Sequence, residues 1–213
     1  MFTRSDMGWL WLIPLSDEIM SVGAVIPKAV HRSEAKATAE ESLAHYLAAT
    51  PAAAALLERA RRVTPARVDV DYSYLATRMA GDRWVAVGDA AAFLDPIFST
   101  GVLLAMQGGL DAAEVIDAGL RTGDLSERAF ARYERIVRKR FHHFRRFAIG
   151  FYDPAFRDLW FTARKRFGIY GAIVAVLAGN WRPSLLTRAR IEMFFALVAV
   201  KRFIRRFRPV GRS

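Results

Sequence analysis

The sequence predicts an α+β protein: a short antiparallel sheet comes first, and a long, basic, all-helical region comes last. Three observations predict it. Alternating aromatic and branched residues from Gly8 to Leu15 meet a second such run after a polar turn. The stretch Trp84–Val102 passes from a strand pattern through Gly88-Asp89 and Asp95-Pro96 into a helix start. Beyond Gly123 apolar residues recur at helical spacing. At 213 residues and 53% hydrophobic, the chain can bury a core and is no disordered tail.

Gly8–Leu15 reads as a strand, Ser16-Asp17-Glu18 as a turn and Ile19–Ile26 as the returning strand. A two-stranded ribbon is marginal alone, so this hairpin wants a larger sheet. Ser33–Ala48 reads as a helix with Ser33 as its N-cap and Leu43, Tyr46 and Leu47 on one face. Pro51 opens another helix, through Ala60, and Arg67–Val70 is strand-like. Tyr72–Met79 and Arg83–Val87 flank Ala80-Gly81-Asp82, a second hairpin signal.

From Ser99 to Leu120 a long helix is predicted, with Val102, Leu103, Met106, Leu110, Ala113 and Ile116 as its apolar positions. Thr122-Gly123-Asp124 breaks it, and Ser126 opens the next helix, where Phe130, Tyr133, Ile136, Val137 and Phe141 recur. Asp153-Pro154, Gly168 and Asn180-Trp181-Arg182-Pro183 separate further helices toward the C-terminus. Boundaries near Gly123 and Tyr152 result, and three segments: 1–82, 83–122 and 123–213.

Composition excludes several chemistries. With no cysteine there are no disulfides, thiolate zinc sites or cysteine nucleophiles. The four histidines, His31, His45, His142 and His143, hold no metal-ligand spacing, so no metal is expected. Net charge is −5 over residues 1–120 and +16 over 121–213. The basic part is either a solvated helical face or a surface for an anionic partner. Its last stretch, Arg188–Arg208, mixes phenylalanines with arginines and suits an anionic membrane surface, an acidic carrier protein, or packing on its own protein. No nucleic-acid motif is present, and no nucleic-acid partner is expected. Met1–Asp6 is polar and the longest apolar runs are short, so neither a signal peptide nor a membrane span is expected. The expected location is cytoplasmic, with peripheral contact to the inner membrane as the alternative.

The chemistry lies in Trp84–Val102. A buried strand ending in Gly88-Asp89 places a carboxylate where it accepts hydrogen bonds from sugar-like hydroxyls. Gly88 lets a ligand approach the backbone, and Ala90 and Ala91 leave room for a flat ring. The amides of a helix starting near Ser99 favour negative charge in front of them. Trp9 and Trp11 read as packing or wall residues.

Gly88-Asp89-Ala90-Ala91, followed by Pro96 and Gly101, resembles the second flavin-binding motif of FAD-dependent aromatic hydroxylases and halogenases. Hydroxylases usually carry a histidine where this chain has Ala92. Asp95-Pro96-Ile97-Phe98-Ser99-Thr100-Gly101-Val102 looks more like flavin-dependent halogenases, as does the Gly8–Leu15 strand. The resemblance implies an α+β fragment of an FAD/NAD(P)-binding (α/β) fold: part of an antiparallel substrate sheet, the final flavin-binding strand and helix, then a helical extension. It implies FAD held by Gly88, Asp89, Ala90, Pro96, Ser99, Thr100, Gly101 and Val102, with chloride or bromide beside Thr100 and Gly101. Tryptophan halogenases have a glutamate where this chain has Phe98, which points to phenolic, pyrrolic or carrier-bound substrates.

A Gly-x-Gly-x-x-Gly turn for the FAD pyrophosphate is absent from the sequence, and no lysine matches the family's halogenation lysine. The expectation is therefore a fragment with no catalytic residue of its own, which binds FAD weakly and turns over nothing. The whole enzyme would use reduced FAD, oxygen and halide to halogenate an electron-rich small molecule or a carrier-protein-bound substrate. Its electrons would come from a flavin reductase or NAD(P)H. The alternatives are a flavin-dependent hydroxylase or epoxidase, a geranylgeranyl-reductase-like enzyme, and a basic helical membrane- or partner-binding module.

Overall fold

The computed structural model describes residues 1–70, 73–162, 168–180 and 183–207. Tyr72, Trp181, Arg182 and Arg208, named above, lie outside the described residues. The chain divides into two units, Met1–Val70 and Asp71–Ser213.

In the first unit β1 (Phe2–Thr3), β2 (Trp9–Pro14) and β3 (Met20–Val25) form an antiparallel sheet in that order. Trp9 faces Val25 and Pro14 faces Met20, the register of the expected hairpin. The Ser16 hydroxyl closes the turn by accepting from the amides of Glu18 and Ile19. Gly23 is required by its neighbour, since a Cβ there would stand 2.0 Å from the Trp11 ring. The strand β1 was not foreseen, because two residues in a polar context carry no periodicity. Arg4 ties it down by pairing with Asp6 and donating to the Tyr46 carbonyl.

The expected helix 33–48 is two helices, α1 (Lys28–Glu34) and α2 (Ala39–Ala48). Ser33 is not a cap; its hydroxyl donates back to the Val30 carbonyl inside α1. Thr38 caps α2, accepting from the Glu41 amide while the Glu41 carboxylate accepts from the Thr38 amide. Helix α3 (Pro51–Leu56) comes next. Leu10, Tyr46 and Ala53 form the core of this unit, with Phe2, Leu12, Ala24, Ile26 and Leu47 packed around them. Arg67–Val70 is not a strand: Val68 and Val70 are exposed, and among the described residues no ladder partner reaches them.

In the second unit β4 (Tyr74–Leu75) pairs with β7 (Ala92–Phe93), and β5 (Ala80–Gly81) with β6 (Trp84–Val85). The second hairpin therefore turns at Asp82-Arg83, with Arg83 at φ 65°. Trp84–Val87 is not a buried strand, since β6 has two residues and both Trp84 and Val87 are exposed.

Helix α4 (Gly101–Thr122) ends at Gly123, whose φ of 73° is the left-handed cap. Its buried face is made of small residues, Gly108, Ala112 and Gly119, and it packs along α5 (Glu127–Phe151). The expected apolar stripe is mostly on the other side, with Val102, Met106, Leu110 and Ile116 exposed. Close approach explains the inversion: a Cβ on Gly119 would come 2.8 Å from the Leu125 side chain. Helix α5 starts at Ser126 as expected, and the Ser126 hydroxyl caps it by accepting from the Ala129 amide. Phe130, Tyr133, Phe141, Phe144, Phe147 and Phe151 bury one seam of α5. Helices α6 (Pro154–Thr162), α7 (Ile169–Leu177) and α8 (Leu185–Phe207) complete the unit. Phe156 of α6 meets Phe194 of α8 edge-on at 5.0 Å, and Phe147 meets Phe195 at 5.1 Å. Among the described residues, no helix is long and apolar enough to cross a membrane.

Candidate functional site

The segment between β6 and α4 makes two tight turns. Gly88–Ala90 forms the first, a single 3-10 turn entered through Gly88 at φ 58°. A side chain there would be strained and would press on the Ala105 methyl at 3.3 Å. Two tyrosines hold this turn. The Tyr133 hydroxyl donates to the Ala86 carbonyl at 2.6 Å, and the Tyr74 hydroxyl donates to the Asp89 carbonyl. The Asp89 carboxylate stays exposed.

The second turn is Pro96–Phe98, opened by Asp95, which accepts from the Ile97 amide at 3.0 Å. The other Asp95 oxygen accepts from the Tyr152 hydroxyl at 2.7 Å. Burial raises the Asp95 pKa, and these two hydrogen bonds oppose the rise. Ser99 then turns through the left-handed region at φ 52°, and Thr100 leads into α4. Phe98 lies edge-on to Phe147 and Phe151 and against Trp160 at 5.3 Å. Phe98 is thus part of an aromatic cluster.

Thr100 is 4% exposed, and among the described residues its hydroxyl has no hydrogen-bond partner. A buried hydroxyl without a partner is costly and rare. It sits at the opening of a helix whose first amides have no intrahelical acceptor. Hydroxyl and amides together suit a small anion.

Gly88, Asp89 and Gly101 line one cleft, bordered by Leu104, Ala105 and Gly108 of α4 and by Tyr133, Val137 and Arg140 of α5. Ala90, Pro96, Ser99 and Val102 are exposed and outside that lining, and Thr100 is buried outside it. Arg140 forms an ion pair with Asp111, each side chain 16% exposed. Burial, then the Asp111 charge, pushes the Tyr133 phenol up to about 12, so it donates at any ordinary pH. Asp111, Tyr133 and Arg140 were missed in the sequence. Twenty-nine residues separate the ion pair, and no local spacing reports a contact across two helices.

The cleft joins small residues, a positive-φ glycine, an exposed carboxylate and a helix start. Such a lining suits a ligand with hydroxyls and negative charge. The fold belongs to the flavoproteins. A solved flavoprotein/dehydrogenase from Cytophaga hutchinsonii superimposes with a TM-score of 0.75 at 25% identity, covering 92% of this chain and 48% of its own. A model of the family described as tryptophan halogenase matches residues 2–167, and the chain belongs to that family. It is 39% identical to the flavin-dependent halogenase gsfI of Penicillium aethiopicum over 129 residues, 58% of this chain and 24% of that protein. It is 34% identical over 130 residues to the 1H-pyrrole-2-carbonyl-[peptidyl-carrier protein] chlorinase of Pseudomonas fluorescens, covering 61% and 29%. The chain thus spans about a quarter of the length of the curated relatives it matches.

Proposed function

We propose that this chain forms the ring-side part of the FAD site of a flavin-dependent halogenase, with a halide held at the opening of α4. The carrying observation is that Gly88, Asp89 and the first residue of α4 border one cleft while a buried Thr100 hydroxyl has no partner among the described residues. In this reading residues 1–82 belong to the substrate sheet, 83–122 to the flavin strand, loop and helix, and 123–213 to the helical extension.

When bound, FAD supplies oxygen activation, which with a halide yields an electrophilic halogen. The chain's own residues position and polarise. Asp89 accepts from ribityl or ribose hydroxyls, and Gly88 keeps the backbone close to them. Ala90 would leave room for the ring, Pro96 sets the turn, and Ser99 bends the chain so that α4 points its positive end forward. Gly101 and Val102 offer amides, and the Thr100 hydroxyl completes the halide's donors. The substrate is electron-rich and either free or carrier-bound; a carrier-bound pyrrole is named for one relative. Electrons come from a flavin reductase or NAD(P)H. The protein works in the cytoplasm, with contact at the periphery of the inner membrane.

Flavin fluorescence titrated with the chain tests the site. Weak, saturable quenching that Asp89→Ala abolishes without altering the circular dichroism spectrum is expected. Equal quenching by both proteins overturns the assignment.

A further inference from the structure

Helix α8 buries Ile191, Phe194 and Val198 against its unit. Its opposite side carries a second apolar stripe. Met193, Leu197, Val200, Ile204 and Phe207 succeed one another at steps of four, three, four and three residues, and all are exposed. That spacing keeps them in one nearly straight line, about 21 Å long at 1.5 Å per residue. Phe203, beside the line, is 61% exposed and Phe207 70%. The two rings touch each other at 4.7 Å. A run of large side chains facing water at this density marks a binding face.

The charge around the stripe identifies what covers it. Residues 183–213 hold eight arginines and lysines and one acid, Glu192. From Met193 to Phe207 there is no acid at all. On one flank Lys201 and Arg205 pair with Asp158, and on the side away from the stripe Arg202 pairs with Asp153, so the nearby carboxylates are neutralised. On the other flank Arg206 is exposed and has no partner among the described residues. A second copy laid along the stripe would oppose like charges along its length. An anionic bilayer does the reverse: it takes the apolar line into its headgroup boundary and meets Arg206 and the net positive charge of this acid-free stretch. Helix α8 lies beyond residue 167, where the family match ends.

We propose that α8 is an interfacial helix that lies on anionic phospholipid through Met193, Leu197, Val200, Phe203, Ile204 and Phe207. It rests on the peripheral-membrane part of the function proposed above and gives that contact a face and a lipid class. Long cationic side chains reach the headgroups while their stems cover the edge of the stripe.

Vesicle co-sedimentation with the full chain tests this, using phosphatidylcholine alone and phosphatidylcholine mixed with phosphatidylglycerol. The expected result is pelleting with the anionic vesicles only, reduced at least tenfold by Ile204→Glu and weakened by salt. Both positions altered in the double variant Val200→Glu, Ile204→Glu are exposed, so an unchanged circular dichroism spectrum shows that the fold is kept. Absence of pelleting with either vesicle overturns membrane contact itself. Pelleting that survives both variants overturns this face while leaving membrane contact standing. A concentration-dependent dimer that Ile204→Glu dissolves assigns the stripe to a second copy and also overturns the proposal. None of these outcomes bears on flavin quenching, which Asp89 controls.

Discussion

Tyr152, the residue that caps the C-terminal end of α5, donates its phenol hydrogen to the Asp95 carboxylate over 2.7 Å. Asp95 is also the residue that opens the turn before α4. The helical extension therefore holds the loop that aims the candidate halide site, although 57 residues separate the two groups.

Tyr152→Phe removes that donor from a largely buried carboxylate and is expected to cost about 1–3 kcal/mol at neutral pH. The raised Asp95 pKa sets the sign with pH. The folded protein holds this proton more tightly than the unfolded chain, so the group opposes folding as pH rises through the interval above the ordinary carboxylate value. Tyr152 is one of the causes that limit the rise. The gap between wild type and variant in urea unfolding is therefore expected to be wider at pH 7 than at pH 4.

Thr100→Val keeps the shape and deletes a buried hydroxyl that has no partner among the described residues. Stability is expected to stay level or rise by about 1 kcal/mol. Bromide quenching of flavin fluorescence in the presence of the chain should become that of free flavin. A clear loss of stability with halide response intact would place the hydroxyl in an ordinary structural role.

His143 titrates below its usual range because it is half-buried, with Arg146 next in effect and Lys139 adding to it, while Glu192 opposes. The unfolded chain binds this proton more tightly, so stability is lost as pH falls through the ordinary value of 6.5 toward the folded value. The ring packs against Phe144 and Phe147. His143→Phe is expected to flatten the fall in thermal midpoint between pH 7 and pH 5.

Gly150→Ala puts a methyl 2.6 Å from the Phe156 ring, which is fully buried. Overpacking of this kind costs about 1–3 kcal/mol, read as a lower urea midpoint at unchanged slope.

Thr38→Ala breaks the reciprocal cap with Glu41 at the head of α2 and should cost about 1 kcal/mol. Proteolysis within the first unit should speed up accordingly, since α2 carries Tyr46 into its core.

Local chemistry was legible from the amino acids alone. The hairpin of β2 and β3, the helix start at Ser126, the break at Gly123 and the turn-rich passage from Gly88 to Gly101 each depend on residues within a few positions of one another. Alternation, hydroxyl caps and positive-φ glycines act over that range, so sequence suffices to place them. The family resemblance rested on the same passage, and the match over residues 2–167 bears it out. Ser33 misled because Thr38 offered the better cap five residues on, with Glu41 in position to reciprocate.

What only the tertiary structure decided depends on partners far along the chain. The buried side of α4 is its glycine and alanine side, because α5 and the 124–125 turn approach too closely for larger residues. Arg140 meets Asp111 across two helices, and Tyr133 reaches the Ala86 carbonyl 47 residues away. Hydropathy ranks side chains by their liking for water, but which face of a helix is dry depends on what packs against it.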